Sequence, residues 1–150
     1  MKRLAVLAAV TAIFSAVMAF GGVQDFGKFT VDVPEGWTAK QDVNGVFISK
    51  NGTDGSNLTA VSITYDSTNG HSAKEIAESY VWQLKDSFPL ILNPEVDENG
   101  YCEWYMVNSD GVKIRAVLGV EGEVYVLIMM SGLDTAAEEI YSIVGSVRDK

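Results

Sequence analysis

The chain has 150 residues, enough for one domain of ordinary size, and carries 20 acidic against 11 basic residues, a formal net charge of −9, 47% apolar residues and a single cysteine. The acidic balance excludes a basic nucleic-acid binder. One thiol excludes both a disulfide scaffold and a cysteine-rich zinc module.

Residues 1–19 read as a secretory signal peptide. Lys2 and Arg3 form a positive start, Leu4 to Val17 is an uncharged apolar run, and Val17-Met18-Ala19 offers the side chains a signal peptidase accepts. The apolar run falls short of the roughly 20 residues that span a bilayer, so no stable membrane insertion is expected after cleavage. Phe20 stands where a lipid-anchored protein would carry its cysteine. Residues 20–150 are then expected to form a single domain in the periplasm or the medium. Loss of Lys2 and Arg3 makes this remainder more acidic still, which repels nucleic acid and favours solvation or a basic partner.

Phe29-Thr30-Val31-Asp32-Val33 alternates with period two and predicts a strand with Phe29, Val31 and Val33 on one face. Pro34 and Gly36 predict a hairpin-like reversal into a second strand that starts near Trp37. Val46 to Ser49 is a third strand, Asn51 to Asn57 an exposed polar loop, and Leu58 to Tyr65 a further strand with Val61, Ile63 and Tyr65 on one face. Ser72-Ala73-Lys74-Glu75 is a capping box. Behind it Ala73, Ile76, Ala77, Tyr80, Val81, Leu84 and Phe88 recur at helical spacing until Pro89. At 100° per residue Trp82 lies about opposite that stripe, so its indole points outward among Glu75, Glu78, Lys85 and Asp86.

Leu90 to Asn93, Pro94 and the polar stretch 97–100 read as a connection into a three-stranded antiparallel meander. Its strands are Tyr101 to Val107, Val112 to Val120 and Glu123 to Met130. Trp104 and Tyr105 face opposite sides of their strand, and each is expected in the core beneath a helix. The last strand is apolar at every position from Val124 to Met130, which predicts cover on both faces. A second helix is expected, capped at Asp134 or Thr135 with Glu138 in the box position and burying Ala136, Ile140, Ile143, Val144 and Val147. The fold class is α+β: a mostly antiparallel β-sheet covered by two helices as an α/β/α sandwich.

This order of parts, with the Pro34-Glu35-Gly36-Trp37 turn after an alternating strand and a closing helix that ends in Ser146-Val147, resembles the Mog1/PsbP-like superfamily. Exported bacterial DcrB-like and PsbP-related proteins are the most similar branches. The resemblance implies a non-enzymatic fold used for protein binding or for assembly of envelope or membrane complexes, with an unknown envelope or extracellular protein as partner.

No residue cluster in the sequence names a reaction. His71, the one histidine, adjoins Ser72, which the helix start already uses as its cap, and no nucleophile elbow surrounds any serine. No catalytic, cofactor-binding or metal-binding residue is therefore assigned. The alternative to a partner-binding protein is a small-ligand or calcium-binding periplasmic module, with hard oxygen ligands drawn from Asn51 to Asn57 and from Asp97, Glu98 and Asn99. Neither stretch has the spacing of a helix-loop-helix calcium motif. Trp82 is the candidate partner-binding residue, since an exposed indole supplies large apolar area with one polar handle. Cys102 is expected to be a buried small hydrophobe.

Overall fold

The computed structural model describes residues 16–17, 21–53 and 56–150. The predicted signal peptide lies outside the described residues except for the two-residue strand Ala16–Val17 (β1). The chain continues through β2 (Gly22–Asp25), β3 (Phe29–Val33), β4 (Trp37–Asp42), β5 (Gly45–Lys50) and β6 (Ala60–Ser67) into α1 (Ala73–Leu84). It returns through β7 (Leu90–Val96), β8 (Cys102–Val107), β9 (Lys113–Glu121) and β10 (Val124–Ser131) to α2 (Leu133–Gly145) and β11 (Arg148–Asp149). The large sheet has the order β1-β4-β5-β6-β10-β9-β8-β7, and a small one has the order β11-β3-β2. Every pairing among the described residues is antiparallel.

The period-two alternation of the strands sorts their side chains onto two separate cores. Cys102, Trp104 and Met106 of β8, Ile114, Ala116 and Leu118 of β9, and Tyr125, Leu127 and Met129 of β10 pack with Ile76, Ala77, Tyr80 and Leu84 of α1. On the other side of the large sheet Trp37, Ala39, Val46, Ile48, Val61, Ile63 and Met130 pack with β3 and with Ile140 and Ile143 of α2. The two covers are staggered: α1 lies over β7, β8 and β9, while α2 and the small sheet lie over β4, β5, β6 and β10. β10 sits where the covers overlap, so its Tyr125, Leu127 and Met129 are buried on the α1 side and Val126 and Ile128 are partly buried on the α2 side, as its apolar run predicts, while Val124 at its start stays exposed.

A clasp fixes α2 to this frame. The Trp37 indole donates to Glu139 Oε2 at 2.8 Å, and Lys50 Nζ holds Oε1 of the same carboxylate at 2.6 Å. At the other end of α2 the chain is tied by β11 on β3, by a hydrogen bond from the Tyr65 hydroxyl to Asp149, and by Lys150 on Asp25.

Four local expectations change. The turn at Pro34 forms, with Trp37 N–H donating to Pro34 O at 3.2 Å and Gly36 at φ 82°, but it makes no hairpin. β3 finds its partners in β2 and β11, so the turn passes the chain from the small sheet to the large one. α1 ends at Leu84, four residues before the Phe88–Pro89 step. The Ser87 and Phe88 amides then fold back onto Leu84 O at 3.0 and 2.7 Å, which still buries Phe88.

Residues 90–96 form the edge strand β7, so the meander has four strands. Its apolar residues lacked alternation because the strand is bulged twice and Pro94 sits in it. Finally, α2 has no side-chain cap at Asp134 or Thr135. The chain leaves β10 through Gly132 at φ 83°, a left-handed conformation that favours glycine, and Gly132 O accepts the amides of Thr135 and Ala136 at 3.1 and 2.9 Å. Ala136, at φ −137° and ψ 33°, breaks the first turn.

Candidate functional site

α1 begins as its sequence dictates. The Glu75 amide donates to Ser72 Oγ at 3.3 Å, and the Ser72 amide donates to Glu75 Oε2 at 2.8 Å. That fixed start sets the rotation of the helix, with Ile76, Ala77, Tyr80 and Leu84 inward and Trp82 outward, 69% exposed. Lys85 Nζ lies 5.0 Å from the centre of the indole ring, a cation–π contact that steadies the side chain without covering it.

The opposite face of the large sheet holds a second surface that sequence reading missed. Because Trp104 and Ile114 face α1, alternation turns Glu103, Tyr105 and Arg115 to the other side, where α2 reaches only Arg115, through Tyr141. Tyr105 is therefore half-buried, and the expectation that it lies in the core beneath a helix does not hold; Trp104, fully buried, does lie there. The Trp104 indole N–H finds no acceptor.

Arg115 grips Glu103 with two nitrogens, Nε to Oε1 at 3.0 Å and Nη2 to Oε2 at 3.2 Å, and the Tyr105 hydroxyl adds a bond to Oε1 at 2.6 Å. Arg115 Nη1 donates to the Tyr141 hydroxyl of α2 at 2.9 Å. The signal for this cluster was present in the Asn108 to Gly111 turn, which sets the register that pairs Tyr105 with Arg115.

The Arg115 and Tyr105 bonds hold the Glu103 carboxyl below its ordinary value, and the same carboxylate pushes the Tyr105 phenol up. A carboxyl depressed in the folded state contributes stability that is present above its unfolded pKa of about 4.3 and is lost as pH falls through the folded value. Glu103→Gln is accordingly expected to flatten the acid side of the stability profile. Thermal midpoints followed from neutral pH into the acid range check this, and an unchanged acid slope counts against the network.

His71 Nδ1 stands 3.9 Å from Glu75 Oε2, both exposed, and Ser72 Oγ is engaged with the same carboxylate at 2.9 Å. The pair is a helix-start arrangement and brings no nucleophile to a base. Cys102 is buried and burial raises its thiol pKa, which keeps it in the unreactive form. In the oxygen-rich turns, Asp97 Oδ1 accepts the amides of Asn99 and Tyr101 at 2.8 and 2.9 Å, and Asn51 Oδ1 accepts from the Thr38 hydroxyl at 2.6 Å. Among the described residues no group of three or more His, Cys, Asp or Glu side chains is placed to hold a metal ion. The depression between Phe47, Ser62, Met129 and Ser131 has no room for a small molecule.

No protein-family model matches the chain, and no curated protein matches it in sequence. Among solved structures it is similar to the cyanobacterial PsbP (CyanoP) of Synechocystis sp. PCC 6803, with a TM-score of 0.56 and 14% identity over 89% of this chain and 95% of that one. A structure from Bacteroides thetaiotaomicron aligns with 87% of this chain and 49% of that one at 12% identity and a TM-score of 0.48. The first match establishes a PsbP-like fold.

Proposed function

We propose that this PsbP-like chain is an exported, non-enzymatic accessory or assembly protein of the cell envelope that engages a protein partner through Trp82. The observation that carries the reading is the 69% exposed indole on the outer face of α1, held by Lys85 and backed by a rigid capped helix. Desolvating such a ring at an interface is a larger gain than any other single residue on that helix face offers. Export rests on the charged and apolar pattern of residues 1–19; cleavage after Ala19 removes β1 and leaves β4 as the sheet edge. No helix among the described residues is long and apolar enough to cross a membrane.

The test is affinity capture from the native envelope extract with the wild-type chain and with Trp82→Ala. The variant is expected to fold with a stability within about 0.5 kcal/mol of wild type, since it is a surface change. Recovery of the partner is expected to drop about tenfold or more, as for an interface anchor. Equal recovery by a folded Trp82→Ala chain sinks the assignment.

A further inference from the structure

The stagger of the two covers leaves the face of β7, β8 and β9 that is turned from α1 covered only along β9, where Val117 meets the α2-side core and Tyr141 of α2 meets Arg115. We infer that this face, centred on Tyr101, Tyr105 and Tyr141, docks an arginine-bearing basic segment of a partner protein, an inference that rests on the partner-binding reading above and names the partner's chemistry.

Two of the three tyrosines are held by hydrogen bonds before anything binds, and the third is backed by β9. The Tyr101 ring lies against the backbone of β9: a Cβ built on Gly119 would come within 2.8 Å of Tyr101 Cε1, yet Tyr101 remains 51% exposed, so the ring is backed on one side and open on the other. The Tyr105 hydroxyl is tied to Glu103 and the Tyr141 hydroxyl to Arg115. Leu92, 58% exposed and paired in register with Tyr105, adds apolar area at the margin. Tyr105 and Tyr141, anchored in this way, bind with little loss of side-chain freedom.

The charge balance selects a cation. Arg115 is neutralised by Glu103, which leaves Glu95 and Glu121 against Lys113 as charges on this face that form no ion pair among the described residues. The whole chain stands at −9. An open tyrosine face inside a negative field attracts a guanidinium by cation–π and long-range terms together.

The same observations disfavour other occupants. A second copy brings another charge of −9, and β7 is a poor template for sheet extension, because its ladder shifts register between Leu90 and Leu92 and again between Leu92 and Glu95, with Pro94 inside the second bulge. A glycan needs free donors and acceptors for its hydroxyls, whereas Glu103, Arg115 and Tyr105 are bonded to one another.

The experiment titrates the full isotope-labelled chain with three probes and follows backbone amide shifts. The probes are a short synthetic peptide of alternating arginine and leucine, its glutamate–leucine counterpart, and a soluble linear glucan. The basic peptide alone is expected to bind, with shifts confined to β7, β8, β9 and the Tyr141 turn of α2. The double variant Tyr101→Ser with Leu92→Ser is expected to bind it at least about tenfold more weakly. Leu92→Arg, a single change at an exposed position that leaves the fold intact, is expected to weaken binding in the same direction by repulsion. Binding of the glucan or the acidic peptide here, shifts centred on Trp82, or no binding of the basic peptide overturns the inference. Shifts centred on Trp82 leave the proposed function standing. Loss of that function is read separately, from undiminished partner recovery by Trp82→Ala.

Discussion

Trp37→Ala is expected to cost about 3–5 kcal/mol, a large part of the roughly 5–15 kcal/mol that holds a domain folded. Trp37 is 1% exposed and belongs to the core beneath α2 that also holds Ile48 and Ile140, so its removal leaves a cavity that the paired strands cannot close. The indole N–H is also one of the two donors on Glu139, the residue through which α2 is clasped to the sheet. Trp37→Phe keeps most of the volume and loses only that donor, and Glu139→Gln keeps the packing; both are expected to cost less than half as much. Urea midpoints at unchanged denaturant slope give the comparison. A Trp37→Ala chain as stable as Trp37→Phe would show that this cluster does not carry the α2 side of the fold.

The elements that could be read along the chain are those whose signals are local. The Ser72 and Glu75 box, the stripe from Ile76 to Leu84 and the outward Trp82 depend on residues three and four apart, and the structure has them where the periodicity places them. The apolar run of β10 correctly announces two covers, because a strand under both layers shields apolar side chains on both its faces. What failed depends on contacts distant in sequence. The Pro34 turn looks the same whether β3 and β4 pair or part, and β3 takes its partners instead from β2 just before it and from β11, more than 100 residues later. β7 was hidden because its neighbour β8 supplies the ladder while its own bulges destroy the alternation. The start of α2 misled because Gly132, held against Thr59, does with a backbone carbonyl what Asp134 or Thr135 would do with a side chain.

The candidate surfaces divide in the same way. Trp82 follows from helical geometry alone, whereas the tyrosine face requires two facts together: the register of β8 on β9, and the lateral offset of α2 that leaves β7 and β8 open and touches β9 only at Val117 and Arg115. The first can be inferred from a turn. The second is a property of the packed layers, and no window of sequence contains it.

Gly45→Ala is the substitution expected to strain the backbone most. A Cβ at Gly45 would sit 2.1 Å from Ile63 O and 3.0 Å from Thr64 Cα, both main-chain atoms of β6, the strand that pairs with β10 at the middle of the large sheet. No rotamer change relieves such a contact. Either β5 is displaced and the bond from the Tyr65 amide to Asn44 O, 2.7 Å long, is lost, or β6 moves and disturbs the core on both faces. A cost of about 3 kcal/mol, at the upper end of the range for overpacking, is the expected result from chemical denaturation. Gly119→Ala is the informative control. Its Cβ would meet Tyr101 at 2.8 Å, but the obstacle is a ring at the exposed edge that can swing aside. The cost there is expected to stay below about 1 kcal/mol, since an exposed side chain yields where a strand cannot. The displaced ring is expected to weaken the basic peptide on the sheet face while the fold persists. If Gly119→Ala instead destabilises the chain as much as Gly45→Ala, Tyr101 belongs to the core rather than to an open binding face.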